Sequence, residues 1–147
     1  MSGFLLDTNV LSEFSRRSAP DQLVTQWLEA ADSESLYVSV LTFGEIRLGI
    51  ELLPRSKRRT QLEQWLEADL HEWFEGRILP VDEPVAYRWS TLCAQAQMKG
   101  RRLSVIDALL AATAIQHNLI VVSRNVSDFS IAGLSVVNPW EPQTHLY

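Results

Sequence analysis

Four carboxylates, Asp7, Glu45, Asp107 and Asp128, lie far apart in the chain, each beside the end of an apolar strand-like run or in the first turn of a helix-like one. Asp7 closes the run Phe4-Leu5-Leu6 and opens Thr8-Asn9-Val10-Leu11, so a carboxylate is delivered where a strand hands over to a helix. Acids gathered with no equally strong base among them repel one another, which raises their pKa values unless a cation intervenes. Oxygen donors suit a hard divalent ion, magnesium or manganese, and magnesium keeps waters while bridging a carboxylate to a substrate phosphate. An ion held in this way can deprotonate a water, polarise a phosphoryl oxygen and stabilise a leaving oxyanion, which is what phosphodiester hydrolysis needs.

The elements that must position these acids follow from the hydrophobic pattern. Phe4–Asp7, Leu36–Val40, Ile120–Ser123 and Leu134–Asn138 read as buried parallel strands, separated by longer segments of helical period. Alternation of this kind means an α/β fold. Ile106, Leu109, Leu110, Thr113 and Ala114 follow one helical face, and Asn118 is a helix stop before Ile120-Val121-Val122. Leu62, Trp65, Leu66, Leu70 and Trp73 form the apolar stripe of an amphipathic helix between Ser56 and Phe74. Glu83 to Lys99 is a further helix, opened by Glu83-Pro84 and stopped by Gly100, with Gly76 and Pro80 marking the connection before it. In an open parallel sheet the strand C-termini and the following helix N-termini share one edge, where ligands bind. Asp7 and the segment after Ser123 reach that edge directly, and Glu45 and Asp107 reach it if their helices begin there.

A purely structural role competes for each acid taken singly. Thr42-Phe43-Gly44-Glu45 and Ser104-Val105-Ile106-Asp107 both have capping-box spacing, and Asp7 can be an N-cap. The composition decides less: a net charge of −5 argues against broad adhesion to nucleic acid, while local basic clusters remain able to hold a polyanion. A chain of 147 residues is the size of one domain, 1–147, able to fold without disulfide or structural metal. The lone Cys93 favours a reducing cytoplasm, and the N-terminal run lacks a basic leader and a membrane span. His71, His117 and His145 are scattered and read as helix-surface residues, and neither a glycine-rich phosphate loop nor a thiolate zinc set is present.

Leu5-Leu6-Asp7-Thr8-Asn9-Val10-Leu11-Ser12-Glu13, Thr42-Phe43-Gly44-Glu45-Ile46-Arg47-Leu48-Gly49, Ile106-Asp107-Ala108-Leu109-Leu110-Ala111-Ala112-Thr113-Ala114 and Ser123-Arg124-Asn125-Val126-Ser127-Asp128-Phe129 occur in the order of the PIN-domain ribonucleases, and together they resemble the VapC toxins. Gly76-Arg77-Ile78-Leu79-Pro80-Val81-Asp82-Glu83-Pro84-Val85-Ala86 and Asn138-Pro139-Trp140 look most like the FitB branch, so the likeness covers nearly the whole chain. The resemblance implies a three-layer α/β/α sandwich with a mostly parallel central sheet and a magnesium- or manganese-dependent endoribonuclease. It also implies a homodimer and a cognate antitoxin that blocks the site and alone supplies DNA binding, as in a type II toxin–antitoxin module. Position by position, Asp7, Glu45 and Asp107 match the acidic triad, and Asn9 and Ser123 its polar support. Many family members carry an acid where this chain has Asn125, so Asn125 and Asp128 compete for the fourth place.

Lys99, Arg101 and Arg102, just before Asp107, are the best-placed cations to offset the repulsion between an acidic crevice and RNA. Two other readings start from the same residues. An aspartate after a first strand is also where haloacid-dehalogenase-like phosphatases keep their nucleophile, but Asn9 stands where a second aspartate is needed. A catalytically weak binding or regulatory module, acting with an antitoxin and DNA, is the alternative that Asn125 keeps open.

Overall fold

In the computed structural model, residues 3–15 and 19–143 are described; His145 and the basic residues Arg16 and Arg17 of the sequence lie outside them. The elements in chain order are β1 (Gly3–Leu6), α1 (Thr8–Ser12), α2 (Gln22–Ala30), β2 (Leu36–Ser39), α3 (Val40–Glu51) and α4 (Lys57–Gln64). After a π-helical segment Trp65–Leu70 come α5 (His71–Trp73), β3 (Ile78–Leu79), α6 (Glu83–Met98), α7 (Val105–Gln116), β4 (Leu119–Val122), α8 (Val126–Ile131) and β5 (Val136–Val137). The strands form one five-stranded sheet in the order β3-β2-β1-β4-β5, and every pairing is parallel.

Successive residues of a strand face opposite sides of the sheet, and the core divides accordingly. Leu6, Val38 and Val122 pack on one face with Val10 and Leu11 of α1, Val24 of α2 and Ile46 of α3, together with Leu66 and Leu70. Leu5 and Val121 pack on the other with Val85 and Leu92 of α6, Leu110 and Ala111 of α7, and Phe129 of α8. Three layers result, as the resemblance implies. Among the described residues no helix is long and apolar enough to cross a membrane.

The structure corrects three local expectations. β3 is a strand of two residues inside the connection between Gly76 and Pro80, too short for any periodicity. It is held by its ladder with β2 and by the Arg77 guanidinium, which donates to the carbonyls of Ser33, Leu36 and Trp73. The last strand is confined to Val136–Val137 rather than spanning Leu134–Asn138. The long helix from Ser56 changes winding at Trp65, so its stripe is carried by α-, π- and α-segments in turn. The expected stops are present: Asn118 and Gly100 take positive φ angles of 55° and 70°. At the end of α6, Gly100 N–H donates to Gln97 O at 3.0 Å and Arg101 N–H to Ala96 O at 2.8 Å. This is the Schellman closure, and a glycine there avoids the Cβ clash of a left-handed residue.

Candidate active site

The strand order places β1 at the centre, with the chain running outward to β2 and β3 on one side and to β4 and β5 on the other. That reversal falls at the carboxyl ends of β1 and β4, the place where open parallel sheets bind ligands. Asp7 follows β1 directly, and its N–H continues the ladder onto Val122 O at 2.9 Å. Ser123 follows β4, and its N–H donates to Val137 O at 2.9 Å. The two side chains meet across the switch point, Ser123 Oγ donating to Asp7 Oδ2 at 2.7 Å.

Asp7 is 6% exposed and caps α1, accepting the N–H of Thr8 on Oδ1 at 2.7 Å. Asn9 Nδ2 reaches Asp7 Oδ2 at 3.4 Å and Ser123 Oγ at 3.3 Å. The Asn125 N–H donates to Ser123 Oγ at 2.9 Å, which leaves that hydroxyl oriented as a donor to Asp7. Burial pushes the Asp7 carboxyl above its ordinary 3.8, the hydrogen bonds from Ser123 and Thr8 oppose the rise, and the nearby Asp107 and Glu45 add to it. A carboxylate buried beside two others is the signature of a site made to receive positive charge.

Glu45 is aimed by a residue whose type and spacing alone suggest no role: the Thr8 hydroxyl donates to Glu45 Oε1. α1 thereby connects two of the acids, Asp7 through the Thr8 backbone and Glu45 through the Thr8 side chain. The only signal in the sequence is that Thr8 lies in Asp7-Thr8-Asn9. The capping-box expectation for Glu45 is overturned, because α3 begins three residues earlier than the Thr42 cap requires. Ser39, at the end of β2, is its N-cap and accepts from Leu41 N–H at 3.0 Å. Strand and helix are joined without a loop, Thr42 is buried inside the helix, and Glu45 lies in the second turn, where it caps nothing. Asp107 does sit in a first turn, its N–H donating to the N-cap Ser104 Oγ at 3.2 Å.

Asp128 stands apart from this group, and Asn125 joins it through its backbone N–H alone. Phe129 is fully buried and anchors α8, so its neighbour Asp128 is turned outward and exposed. The acids whose charge raises the Asp7 pKa are Asp107 and Glu45. Asn125 occupies the N-cap of α8 without a side-chain capping bond and acts on the site through its backbone. Lys99, Arg101 and Arg102 are exposed in the link before α7. His71 and His117 are exposed as expected, His71 Nδ1 lying 2.9 Å from Leu66 O.

The donor chemistry fits a hard cation: Asp7, Glu45 and Asp107 offer oxygen only. Among the described residues no three His, Cys, Asp or Glu side chains close round one point as a ready-made cage. An open set of this kind suits an ion that keeps waters and shares its remaining positions with substrate oxygens.

A PIN-domain family profile matches residues 4–132. The chain belongs to the PIN-domain family. Within it, the chain is 40% identical over 138 residues to VapC ribonuclease Y4jK of Sinorhizobium fredii, covering 94% of this chain and 98% of that one. It is 41% identical over 136 residues to Toxin FitB of Neisseria gonorrhoeae, covering 92% and 97%. Among solved structures, FitAB bound to the IR36 DNA fragment superposes with a TM-score of 0.91 at 38% identity, covering 97% of this PIN domain and 99% of that chain. FitAcB from Neisseria gonorrhoeae gives 0.89 at 40% identity, covering 95% and 99%. The chain is thus a PIN domain of the VapC/FitB branch, and ribonucleases of this family work with a divalent metal.

Proposed function

We propose that residues 1–147 act as one domain, the ribonuclease toxin of a type II toxin–antitoxin pair, hydrolysing RNA phosphodiester bonds with magnesium or manganese. The observation that carries the reading is the buried Asp7 at the sheet's switch point, its pKa raised by burial and by the acids Asp107 and Glu45. A lone capping aspartate would need none of these neighbours.

In this reading Asp7, Glu45 and Asp107 hold the ion. When bound, it lowers the pKa of a water and offsets the charge of the scissile phosphate. The protein's own contribution is orientation. Ser123 and the Thr8 N–H hold both Asp7 oxygens, Thr8 Oγ1 turns Glu45, and Asn9 links Asp7 to Ser123. Outer partners of this type fix ligand rotamers and tune their basicity. Asp128, exposed on α8, has a lesser role. Arg101 and Arg102 meet the RNA backbone from the α7 side of the crevice.

The cognate antitoxin fits a groove of about 270 Å³ whose lining includes Glu45, Ile46, Ile50, Leu62 and Trp65. Trp65, in the stripe running from Leu62 to Trp73, is half-buried against the core and keeps an aromatic edge for an amphipathic segment. A partner seated there would touch a metal-binding acid and its docking groove together. A homodimer in the cytoplasm, with DNA reached through the antitoxin alone, completes the proposal.

The test is cleavage of a mixed RNA panel by antitoxin-free protein, with magnesium or manganese against chelator and with Asp7→Asn in parallel. Metal-dependent cleavage that the variant lacks supports the reading. Folded, metal-saturated protein that cuts no RNA moves the function to a binding module.

A further inference from the structure

The arginines of the described chain differ in how they are used. Arg47 and Arg59 pair with Glu51 and Glu63, Arg77 is spent on backbone carbonyls, and Arg88 donates to Gln116. Those side chains hold elements together. Arg124 is different. Its backbone N–H donates to Asn9 Oδ1 at 3.5 Å, and it directly follows Ser123, so its main chain is fixed to the Asp7 group. Its guanidinium lies 4.2 Å from the centre of the Trp140 ring. Trp140 is itself held just past the carboxyl end of β5, its N–H donating to Asn138 Oδ1 at 2.9 Å. Among the described residues no carboxylate pairs with Arg124 and no protein oxygen accepts from its side chain, although it is exposed.

Stacking occupies the flat face of a guanidinium and leaves the in-plane N–H donors pointing outward. Those donors match two oxygens of one phosphate. A cation pre-set in this way loses less freedom on binding than a free lysine. It also sits where it is needed, because the crevice beside it gathers the negative charge of Asp7, Glu45 and Asp107, which repels a polyanion.

We propose that Arg124, held on the Trp140 face, is an RNA-binding residue that grips a backbone phosphate next to the scissile bond, from the β4 side of the crevice. The inference rests on the ribonuclease reading and assigns part of its substrate contact. A merely structural stack would stabilise the C-terminal segment and leave RNA affinity untouched.

The test uses the full chain carrying Asp7→Asn, so that a short fluorescent single-stranded RNA is bound and not cut, and compares it with the same protein bearing Arg124→Gln or Arg124→Lys. Removing one phosphate contact should weaken binding about tenfold and lower the slope of log affinity against log salt by about 0.7. Lysine should keep most of the slope while losing about threefold in affinity, since the charge remains and the fork does not. With Asp7 intact, Arg124→Gln should raise KM and leave kcat within about twofold, the mark of uniform binding. Unchanged affinity and slope in a protein whose parent cleaves RNA overturn the role of Arg124 alone. Loss of affinity for the antitoxin with RNA binding intact overturns it in favour of a protein contact. A parent chain that neither cleaves nor binds RNA overturns both this inference and the ribonuclease reading.

Discussion

Replacing Asp7 with asparagine should make the metal-free protein more stable while abolishing its activity. Asp7 is 6% exposed, and its folded-state pKa lies above the unfolded value of 3.8, first through burial and then through Asp107 and Glu45, despite the hydrogen bonds from Ser123 and Thr8. A raised folded-state pKa means that the folded chain holds this proton more tightly than the unfolded chain. The stability it contributes is fully present below 3.8 and is lost as pH rises through the higher folded value. At pH 7 the wild-type side chain is therefore strained by charge. In Asp7→Asn the carbonyl can still accept the Thr8 N–H, and the amide can donate to Ser123 Oγ once that hydroxyl turns its proton away from position 7. Against this, the new amide faces Asn9 Nδ2, now donor to donor, across the 3.4 Å contact. Relief of charge less that mismatch leaves a net gain of about 1 kcal/mol, or about 4 °C in Tm. Thermal unfolding with chelator should show the variant ahead at pH 7 and losing that lead by pH 4, where the charge is gone and only the mismatch remains. Magnesium at about a hundred times its Kd should then add about 2.7 kcal/mol to the wild type and little to the variant, reversing their order. Parallel stability curves from pH 4 to pH 7, or equal stabilisation of both proteins by magnesium, would refute the argument.

Ser123→Ala removes the donor to Asp7 Oδ2 and should cost about 10- to 100-fold in metal affinity or activity. It should also shift the acid limb of the pH–rate profile upward, because the bond it removes lowers the Asp7 pKa; an unmoved limb refutes the assignment. Thr8→Val frees Glu45 and should lower activity about tenfold with little change in Tm, as read by paired kinetics and calorimetry. Asp128→Asn should retain activity within about threefold while Asp107→Asn loses at least about a hundredfold, and equal losses would bring Asp128 into the metal site. Arg101→Gln with Arg102→Gln should flatten the salt dependence of RNA binding by about 0.7 for each phosphate no longer neutralised, measured by titration across a salt series.

Much of this protein is legible in the order of its residues because its strands are short apolar blocks and its helices end on strong local signals. Asp7, Ser104 and Gly100 are such signals: each satisfies backbone groups of its nearest neighbours, so its effect depends on the chain within a few residues. The same locality misleads at Thr42, where the hydroxyl-to-acid spacing of a capping box is present and Ser39, three residues earlier, starts the helix instead. Strand β3 has no such signature, because two residues carry no period and its hold comes from the distant ladder with β2 and from Arg77, whose acceptors include Ser33 and Leu36, more than 40 positions away.

The sequence by itself determined the class of fold, the sheet edge on which the acids fall and the chemistry those acids favour, since residue type and spacing carry that information along the chain. The tertiary structure decided how the acids are arranged. It set Ser123 on Asp7 across 116 positions and Thr8 on Glu45 across 37, turned Asp128 outward by burying Phe129, and stacked Arg124 on Trp140. These contacts exist only once β1 and β4 lie side by side, because hydrogen bonds and charge act through distances in space that no local pattern encodes.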